Sequence, residues 1–462
     1  MDLREQLQSK FEDASVNVRA FGTVRRSIAI VRTAAFCVAL AGFPAVSVAQ
    51  RGQTIPDSLT DREFWSLFTT MSEEGGSFPS ENFVSNEKTY QYVIPTLQRT
   101  LTPHGVYLGV GPEQNFTYIV NLEPRLAVIF DIRRQNAMLH LMYKALFELS
   151  SSRAEFVSRL FSRPLRRAFA TTATPADIFA AVSTATVSDS AFDANWKAIV
   201  DRLTVTHGFP MSDDDIASTR RVFEAFREAG PDISYAFRLG APLPSVTPWH
   251  VTYAQLQTLT NADSVNMAFL ATEDRYIRLR AMERRNLVVP VVGDFLGPTA
   301  IRRVGAYLKE RNARVTAFYT SNVEQYLFTN RSGERFYRNV ETLPIDSTST
   351  FIRAVPPTPG PLIVAAPQLA GPLPSNLTNI TVQVTDSGGV RILIATGVDS
   401  SGKVVQTRIV APIPPVTTAS TSAFISGITP ISRVLEAFAN GQLRTYDQLN
   451  AMTKTGDWKS PP

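Results

Sequence analysis

Residues 105–148 constrain the fold of this 462-residue chain more than any other stretch: GVYLGVGPEQNFTYIVNLEPRLAVIFDIRRQNAMLHLMYKALFE. A short apolar run, Val106-Tyr107-Leu108, ends in Gly109-Val110-Gly111, and a second, residues 126–130, ends in Asp131. From 133 to 149 the period changes. Met138, Leu141, Met142, Ala145 and Leu149 fall three and four apart, the spacing of one helix face. Strand, glycine turn, helix, strand, carboxylate, helix is how a doubly wound, mostly parallel sheet of the α/β class begins. Such sheets bind ligands outside the carboxyl ends of their strands. Gly109, Gly111 and Asp131 would gather at that rim, which suggests a nucleotide-type small molecule as partner.

The same grammar returns downstream. Residues 287–292 (LVVPVV) read as a buried strand ending in Gly293-Asp294-Phe295, and Pro298 as the opening of a helix. Residues 314–319 read as a further strand ending in Thr320-Ser321-Asn322, followed by a short helix over 323–328 and a last strand near 350–352. Between the two halves, residues 151–285 are helical in pattern. Their start signals are Ser212-Asp213-Asp214-Asp215, Thr252-Tyr253-Ala254-Gln255 and Thr247-Pro248, and they predict an all-helical insertion.

Residues 355–375 are rich in proline. Residues 380–411 alternate with period two, with turns at Ser387-Gly388-Gly389 and Ser400-Ser401-Gly402, which predicts a β-meander insertion. A helix over 431–440 closes the chain. Upstream, Thr60-Asp61-Arg62-Glu63 is a capping box ahead of a helix. Residues 72–87 are a loop, and 88–101 a helix interrupted or started near Pro95. The expected organisation is a leader over 1–49, helices with the first half of the core over 50–150 and the helical insertion over 151–285. The second half of the core follows over 286–354, then the Pro-rich linker and meander over 355–418 and a helical segment over 419–462.

Charge and cysteine usage exclude several functions. The net charge is +5. No dense Lys/Arg block follows residue 50, which argues against nucleic acid as a partner. The one cysteine, Cys37, falls in the leader, so the body has no disulfide, thiolate nucleophile or cysteine-based metal site. His104, His140, His207 and His250 are scattered without metal-ligand spacing, so no metal-ligating residues are assigned; this argues against zinc chemistry and leaves a carboxylate-bound cation open.

Arg25-Arg26 and Arg32 precede an apolar run over 34–48, and Ser47-Val48-Ala49 places a cleavage before Gln50. This predicts an exported protein, periplasmic or extracellular, with no membrane span once the leader is removed. An amphipathic helix on a cytoplasmic protein is the competing reading.

Four strand ends now stand in order: Gly109/Gly111, Asp131, Asp294 and Ser321/Asn322. They resemble the core of the S-adenosylmethionine-dependent methyltransferases. The resemblance implies that Gly109 and Gly111 pass the amino-acid moiety and that Asp131 binds the ribose hydroxyls. It implies further that Asp294 approaches the adenine and Asn322 holds the reacting group, with Tyr319 or Glu324 assisting proton removal. Glycine permits close backbone approach, and a carboxylate can accept from two vicinal hydroxyls. The chain departs from the pattern in lacking a third glycine and in placing over a hundred residues between its second and third strands. Residues 105–148 and 286–326 also resemble a bacterial protein family with GVGPEQN, DIRRQN, GDF and SNVEQYL blocks, which implies no particular activity.

Each residue also has a plainer explanation. Gly109 and Gly111 could merely shape a tight turn, and Asp131 and Asp294 could cap helices. Arg133 and Arg134 read as a solvated face. The i+4 row Asn136, His140, Lys144 and Glu148 reads as exposed helix surface. Glu73, Asn82, Asn86 and Glu87 could form a lid, although loop polarity explains them more simply.

Two functions follow. One is an S-adenosylmethionine-binding transferase-like protein of unspecified acceptor, with or without retained catalysis. The other is a non-enzymatic exported envelope protein that keeps the fold for binding. The leader favours the second, because that cofactor is made in the cytoplasm. A hydrolase is disfavoured, because no Gly-x-Ser-x-Gly, Walker loop or His-based triad signature is present.

Overall fold

The structure, a computed structural model, describes residues 54–241, 251–356, 378–387, 390–399, 401–412 and 424–456. The expected leader with Cys37, the start signal Thr247-Pro248, most of the Pro-rich stretch and the turn residues Gly388, Gly389 and Ser400 lie outside the described residues.

Among the described residues, nine strands build two sheets. β1 (Val106–Val110), β2 (Leu126–Asp131), β3 (Val288–Val292), β4 (Val315–Ser321) and β5 (Ile345–Val355) come first. β6 (Thr378–Ser387), β7 (Val390–Val398) and β8 (Val404–Pro412) pair only with one another as an antiparallel meander, as the alternation predicts. β9 (Ile425–Pro430) returns to the first sheet, whose order is β3-β2-β1-β4-β5-β9. Every pairing there is parallel except β5 with β9. The order reverses between β1 and β4, so the chain folds as a mostly parallel, Rossmann-like α/β sheet with its switch point at β1/β4.

These strands are near-continuous apolar runs because both faces of a parallel sheet are covered. β2 is buried at every position. Pro290 is tolerated in β3 because β3 is an edge strand, where one missing N–H leaves no gap in a ladder. Register aligns Val110 with Phe130, Asp131 with Val292 and Leu108 with Phe318. The carboxyl ends of β1 to β4 therefore share one edge, and Gly111, Asp131, Asp294 and Asn322 lie along it.

The helices begin where local chemistry dictates. α1 (Asp61–Met71) opens with the Thr60/Glu63 capping box, Glu63 N donating to Thr60 Oγ1 at 3.2 Å and Thr60 N to Glu63 Oε2 at 2.7 Å. α2 (Ile94–Thr100) carries Pro95 in its first turn, so the proline starts this helix and does not interrupt it. α3 (Gln114–Leu122) and α4 (Arg134–Leu149) follow β1 and β2. Between β2 and β3 lie α5 (Arg153–Leu160), α6 (Pro175–Thr184), α7 (Asp189–Val200), α8 (Asp213–Ala229), α9 (Tyr253–Thr258) and α10 (Glu273–Arg284). α8 and α9 both start at the capping boxes expected of them. α11 (Ala300–Glu310) begins two residues after Pro298. α12 (Val323–Thr329), α13 (Gly333–Val340), α14 (Ile431–Ala439) and α15 (Tyr446–Ala451) complete the set.

One hydrophobic core joins the six-stranded sheet and the helices around it. Phe64 of α1, Leu108 and Val128 of the sheet, Leu146 of α4, Phe226 of α8 and Val434 of α14 are all fully buried within it. α4 is the hinge of the packing, touching β2 and β3 on one side and α8 and α10 on the other.

That position corrects the expectation of an exposed polar row. Asn136, His140 and Lys144 are all buried. Lys144 Nζ donates to Glu148 Oε1 at 2.8 Å and to the Glu283 carbonyl. His207 sits between Asp61 Oδ1 at 2.7 Å and Glu148 Oε2 at 2.8 Å. Sequence spacing assigns these residues to one face but cannot say that the turn after β1 and the end of α10 cover it.

Candidate functional site

The glycine turn after β1 is built by Asn115. Its Nδ2 donates to the carbonyls of Val110 (3.0 Å), Gly111 (3.2 Å) and Pro112 (2.7 Å), and its Oδ1 accepts from Tyr107 Oη at 2.8 Å. Gly109 makes room for this clasp, because a Cβ there would lie 1.8 Å from Asn115 Oδ1. Gly111 has φ +78°, a left-handed conformation that favours glycine, and the nearest atom to its missing Cβ is Asn82 Nδ2 at 3.7 Å. The Gly111 carbonyl also accepts from His140 Nε2 at 2.9 Å and Asn136 Nδ2 at 3.3 Å.

Asp131 ends β2 in a closed ion pair. Oδ1 accepts from Arg133 N (2.8 Å) and Nε (3.0 Å), and Oδ2 from Nη2 (3.0 Å). Arg133 Nη1 continues to the carbonyls of Ser80 (2.8 Å) and Glu81. Arg133, expected on a solvated face, is thus buried. Asp131 is not the α4 cap; that position is Arg133 itself.

Asp294 shapes its own turn, Oδ1 accepting from Leu296 N at 2.9 Å. The start of α11 is held instead by Glu73 Oε1, which accepts from Thr299 N at 2.5 Å, Thr299 Oγ1 at 2.7 Å and Ala300 N at 2.7 Å.

The end of β4 meets the loop over 72–87. Tyr319 is buried, and its hydroxyl donates to Glu87 Oε1 at 2.6 Å. Ser321 Oγ donates to the same oxygen at 2.6 Å, while Gln114 Nε2 donates to Oε2 at 3.0 Å. Ser321 is a non-glycine residue at φ +53°, a conformation held in place by its surroundings. Asn322 is half-buried next to it, 3.5 Å from Ser321 Oγ through Oδ1.

Glu324 belongs to a different cluster. Oε2 accepts from Arg353 Nε (2.6 Å) and Thr320 Oγ1 (3.1 Å), and Oε1 from Tyr337 Oη (2.7 Å). That buried pair ties α12 to β5 and α13. The structure therefore brings Gly109, Gly111, Asp131, Asp294, Tyr319 and Asn322 to one rim and engages Glu324 behind it.

Burial sets the electrostatics. Glu113 lies beneath the turn, fully buried with only its own amide and Ser85 N as donors, and burial pushes its carboxyl up to about 8. Burial also raises Glu87 despite its three donors, and lowers His140 to about 4 against the pull of the Gly111 carbonyl. Asn136 Oδ1 and His140 Nδ1 are buried without partners.

Glu87, Gln114 and Glu113 are functional candidates that the strand-end rule does not mark. Glu87 sits in a polar loop far from any strand end, and its convergence with β4 is a tertiary fact. The GPEQN block was a visible signal for the other two.

Open cavities lie elsewhere. One of about 380 Å³ sits at the amino edge of the sheet beside Arg125, Met282 and Leu287, and one of about 440 Å³ lies among Thr171, Thr174, Ala271 and Thr272. The strand-end rule outweighs them as a guide to chemistry, because neither cavity adjoins the rim. Among the described residues no group of three His, Cys, Asp or Glu side chains could hold a metal. No described helix is long and apolar enough to cross a membrane.

No curated protein matches the chain. Residues 82–381 match the family model described as "Domain of unknown function (DUF7790)", a span that includes the glycine turn, Asp131, Glu87 and the end of β4. With about two thirds of its length matched, the chain belongs to the DUF7790 family.

Proposed function

We propose that the chain is a binding protein on a methyltransferase-like scaffold, taking an S-adenosylmethionine-type nucleoside across the rim of β1, β2 and β3, without retained catalysis. The observation that carries it is the glycine turn at the switch point: Gly111, at φ +78° with only the Asn82 side chain near its missing Cβ, stands on the same edge as Asp131 and Asp294. The strand order, with an antiparallel strand beside β5, supports the same scaffold.

The fit to the ligand is partial. The turn suits the close approach of an amino-acid moiety. The ribose partner does not fit as it stands, because both oxygens of Asp131 are held by Arg133. The residues expected to assist catalysis are likewise engaged, Tyr319 on Glu87 and Glu324 on Arg353. No transfer step is derived through the ligand.

The expected leader supports a second version, an exported envelope protein using the same rim for another small molecule. Calorimetric titration of the protein with S-adenosylmethionine and S-adenosylhomocysteine separates the two. Saturable heat that disappears in a folded Gly111→Val variant supports the nucleoside; flat traces for both ligands with a cooperatively folded protein reject it.

A further inference from the structure

Three neutral donors, two on β4 and one on α3, converge on one carboxyl group at the switch point. Tyr319 Oη and Ser321 Oγ both reach Glu87 Oε1 at 2.6 Å, and Gln114 Nε2 reaches Oε2 at 3.0 Å. Both carboxyl oxygens are thus met, each from its own side. Donors arranged in this way around a carboxyl are a recognition site for that group.

The occupant comes from an irregular segment, residues 72–87, with no helix or strand of its own. That segment is pinned at its end by side chains: Ser85 N on Glu113, Ser85 Oγ on Gln114, and Glu87 itself. Arg133 holds its middle through the carbonyls of Ser80 and Glu81.

Two further features distinguish the cradle from ordinary packing. Ser321 keeps a left-handed backbone (φ +53°) without being glycine, and that conformation sets its hydroxyl on the carboxyl. Ser321 and Asn322 are only half-buried, so the cradle has a side toward solvent although Glu87 is sealed. The place is also the crevice where ligands of doubly wound sheets bind.

The geometry points to Tyr319, Ser321 and Gln114 as a binding subsite for the carboxyl group of a small-molecule ligand, occupied from within the chain by Glu87. Residues 72–87 act as a strap whose glutamate stands in for that ligand group. A ligand carrying a carboxyl must displace it, so its apparent affinity is reduced by the fraction of time the strap is closed. The groups acting on Glu87 are hydroxyls and an amide. The cradle thus selects for shape and hydrogen bonding more than for charge. The subsite deepens the binding reading of the rim but does not depend on the nucleoside, since its test contains none.

The test uses propionate, which reproduces the glutamate side chain beyond Cα, against chloride at equal ionic strength. In the intact protein, propionate should release the strap. Hydrogen exchange at the amides of Ser85 to Glu87 should rise saturably while β1 and β4 stay protected. In Glu87→Ala the cradle is vacant, and propionate should bind at least tenfold more tightly than to the intact protein and raise the melting temperature. Tyr319→Phe combined with Ser321→Ala should abolish both effects. Unchanged exchange in the intact protein, with no saturable binding to a folded Glu87→Ala, would overturn the assignment and leave Glu87 as a structural latch. If Glu87→Ala does not fold, the exchange experiment on the intact protein decides alone.

Discussion

Asp131→Ala is the sharpest test of how this rim is built. If Asp131 were only a helix cap, its loss would cost about 1 kcal/mol. The structure assigns it a heavier role. Its two oxygens accept three hydrogen bonds from Arg133 at 2.8 to 3.0 Å, and both side chains are under a tenth exposed. Removing one partner of a buried pair leaves an uncompensated charge and typically costs about 3–5 kcal/mol. Arg133 keeps the carbonyls of Ser80 and Glu81, which lowers the loss toward about 3 kcal/mol. Asp131→Asn retains an acceptor for the Arg133 amide and should fall between the two values. Arg133→Met in the Asp131→Ala background removes the stranded guanidinium and should recover part of the loss. Urea unfolding followed by tryptophan fluorescence, compared at equal m, gives all three numbers. A loss under about 1 kcal/mol for Asp131→Ala, the size of a cap, would refute the closed pair.

Other perturbations follow from the same geometry. Gly109→Ala drives a Cβ into Asn115 and should cost about 1–3 kcal/mol, the usual range for overpacking. Gly111→Ala makes only an ordinary contact with Asn82 Nδ2 at 3.7 Å and is opposed by the left-handed backbone, about 1–2 kcal/mol; a larger melting shift at 111 than at 109 would contradict the Asn115 clasp. Glu324→Ala should cost about 3–5 kcal/mol by stranding buried Arg353, whereas Lys197→Ala on the exposed Asp201 pair should cost under about 1 kcal/mol; equal effects would refute the contrast. Glu113 is pushed up to about 8, so the folded chain holds a proton that the unfolded chain releases above the ordinary glutamate value of 4.5. The stability contributed by Glu113 should therefore fall as pH rises from about 5 to about 8 and level off above. Glu113→Gln should reduce that slope in urea midpoints taken across the range, leaving the parts due to Glu283, also pushed up to about 8, and to Glu87, likewise raised, set against the opposite slope of His140, lowered to about 4. An unchanged slope would show Glu113 already ionised.

The sheet was legible because its strands are continuous apolar runs with punctuating glycine, aspartate or asparagine at their ends. β1 to β5 stand where those runs predict, and register alone then places Asp131, Asp294 and Asn322 on one edge. The capping boxes at Thr60, Ser212 and Thr252 were equally readable, since each is a local exchange of hydrogen bonds. What escaped is tertiary. The polar row of α4 is spaced like a solvated face, but His140 is buried against the Gly111 turn and Phe116, and Lys144 against the Glu283 carbonyl and Phe64. Glu87 gives no sign in a polar loop that its carboxyl will meet Tyr319 two hundred residues on. β9 and α13 were missed because short, mixed segments carry little periodicity. The six-residue β9 becomes a strand by pairing with β5.

β9 also dictates how the molecule must assemble in time. β5 acquires its antiparallel neighbour only after residues 356–424 have intervened, because β9 starts at Ile425. During synthesis the sheet therefore emerges with an open flank, a row of unpaired amides that invites association with other chains. The meander of β6 to β8 lies within that interval and pairs only with itself. By folding locally it shortens the span that β9 must close, and loop closure grows by only about 0.6 kcal/mol per doubling of length. A chain ended at residue 381, where the family match stops, would have no β9 at all and would leave that flank open for good.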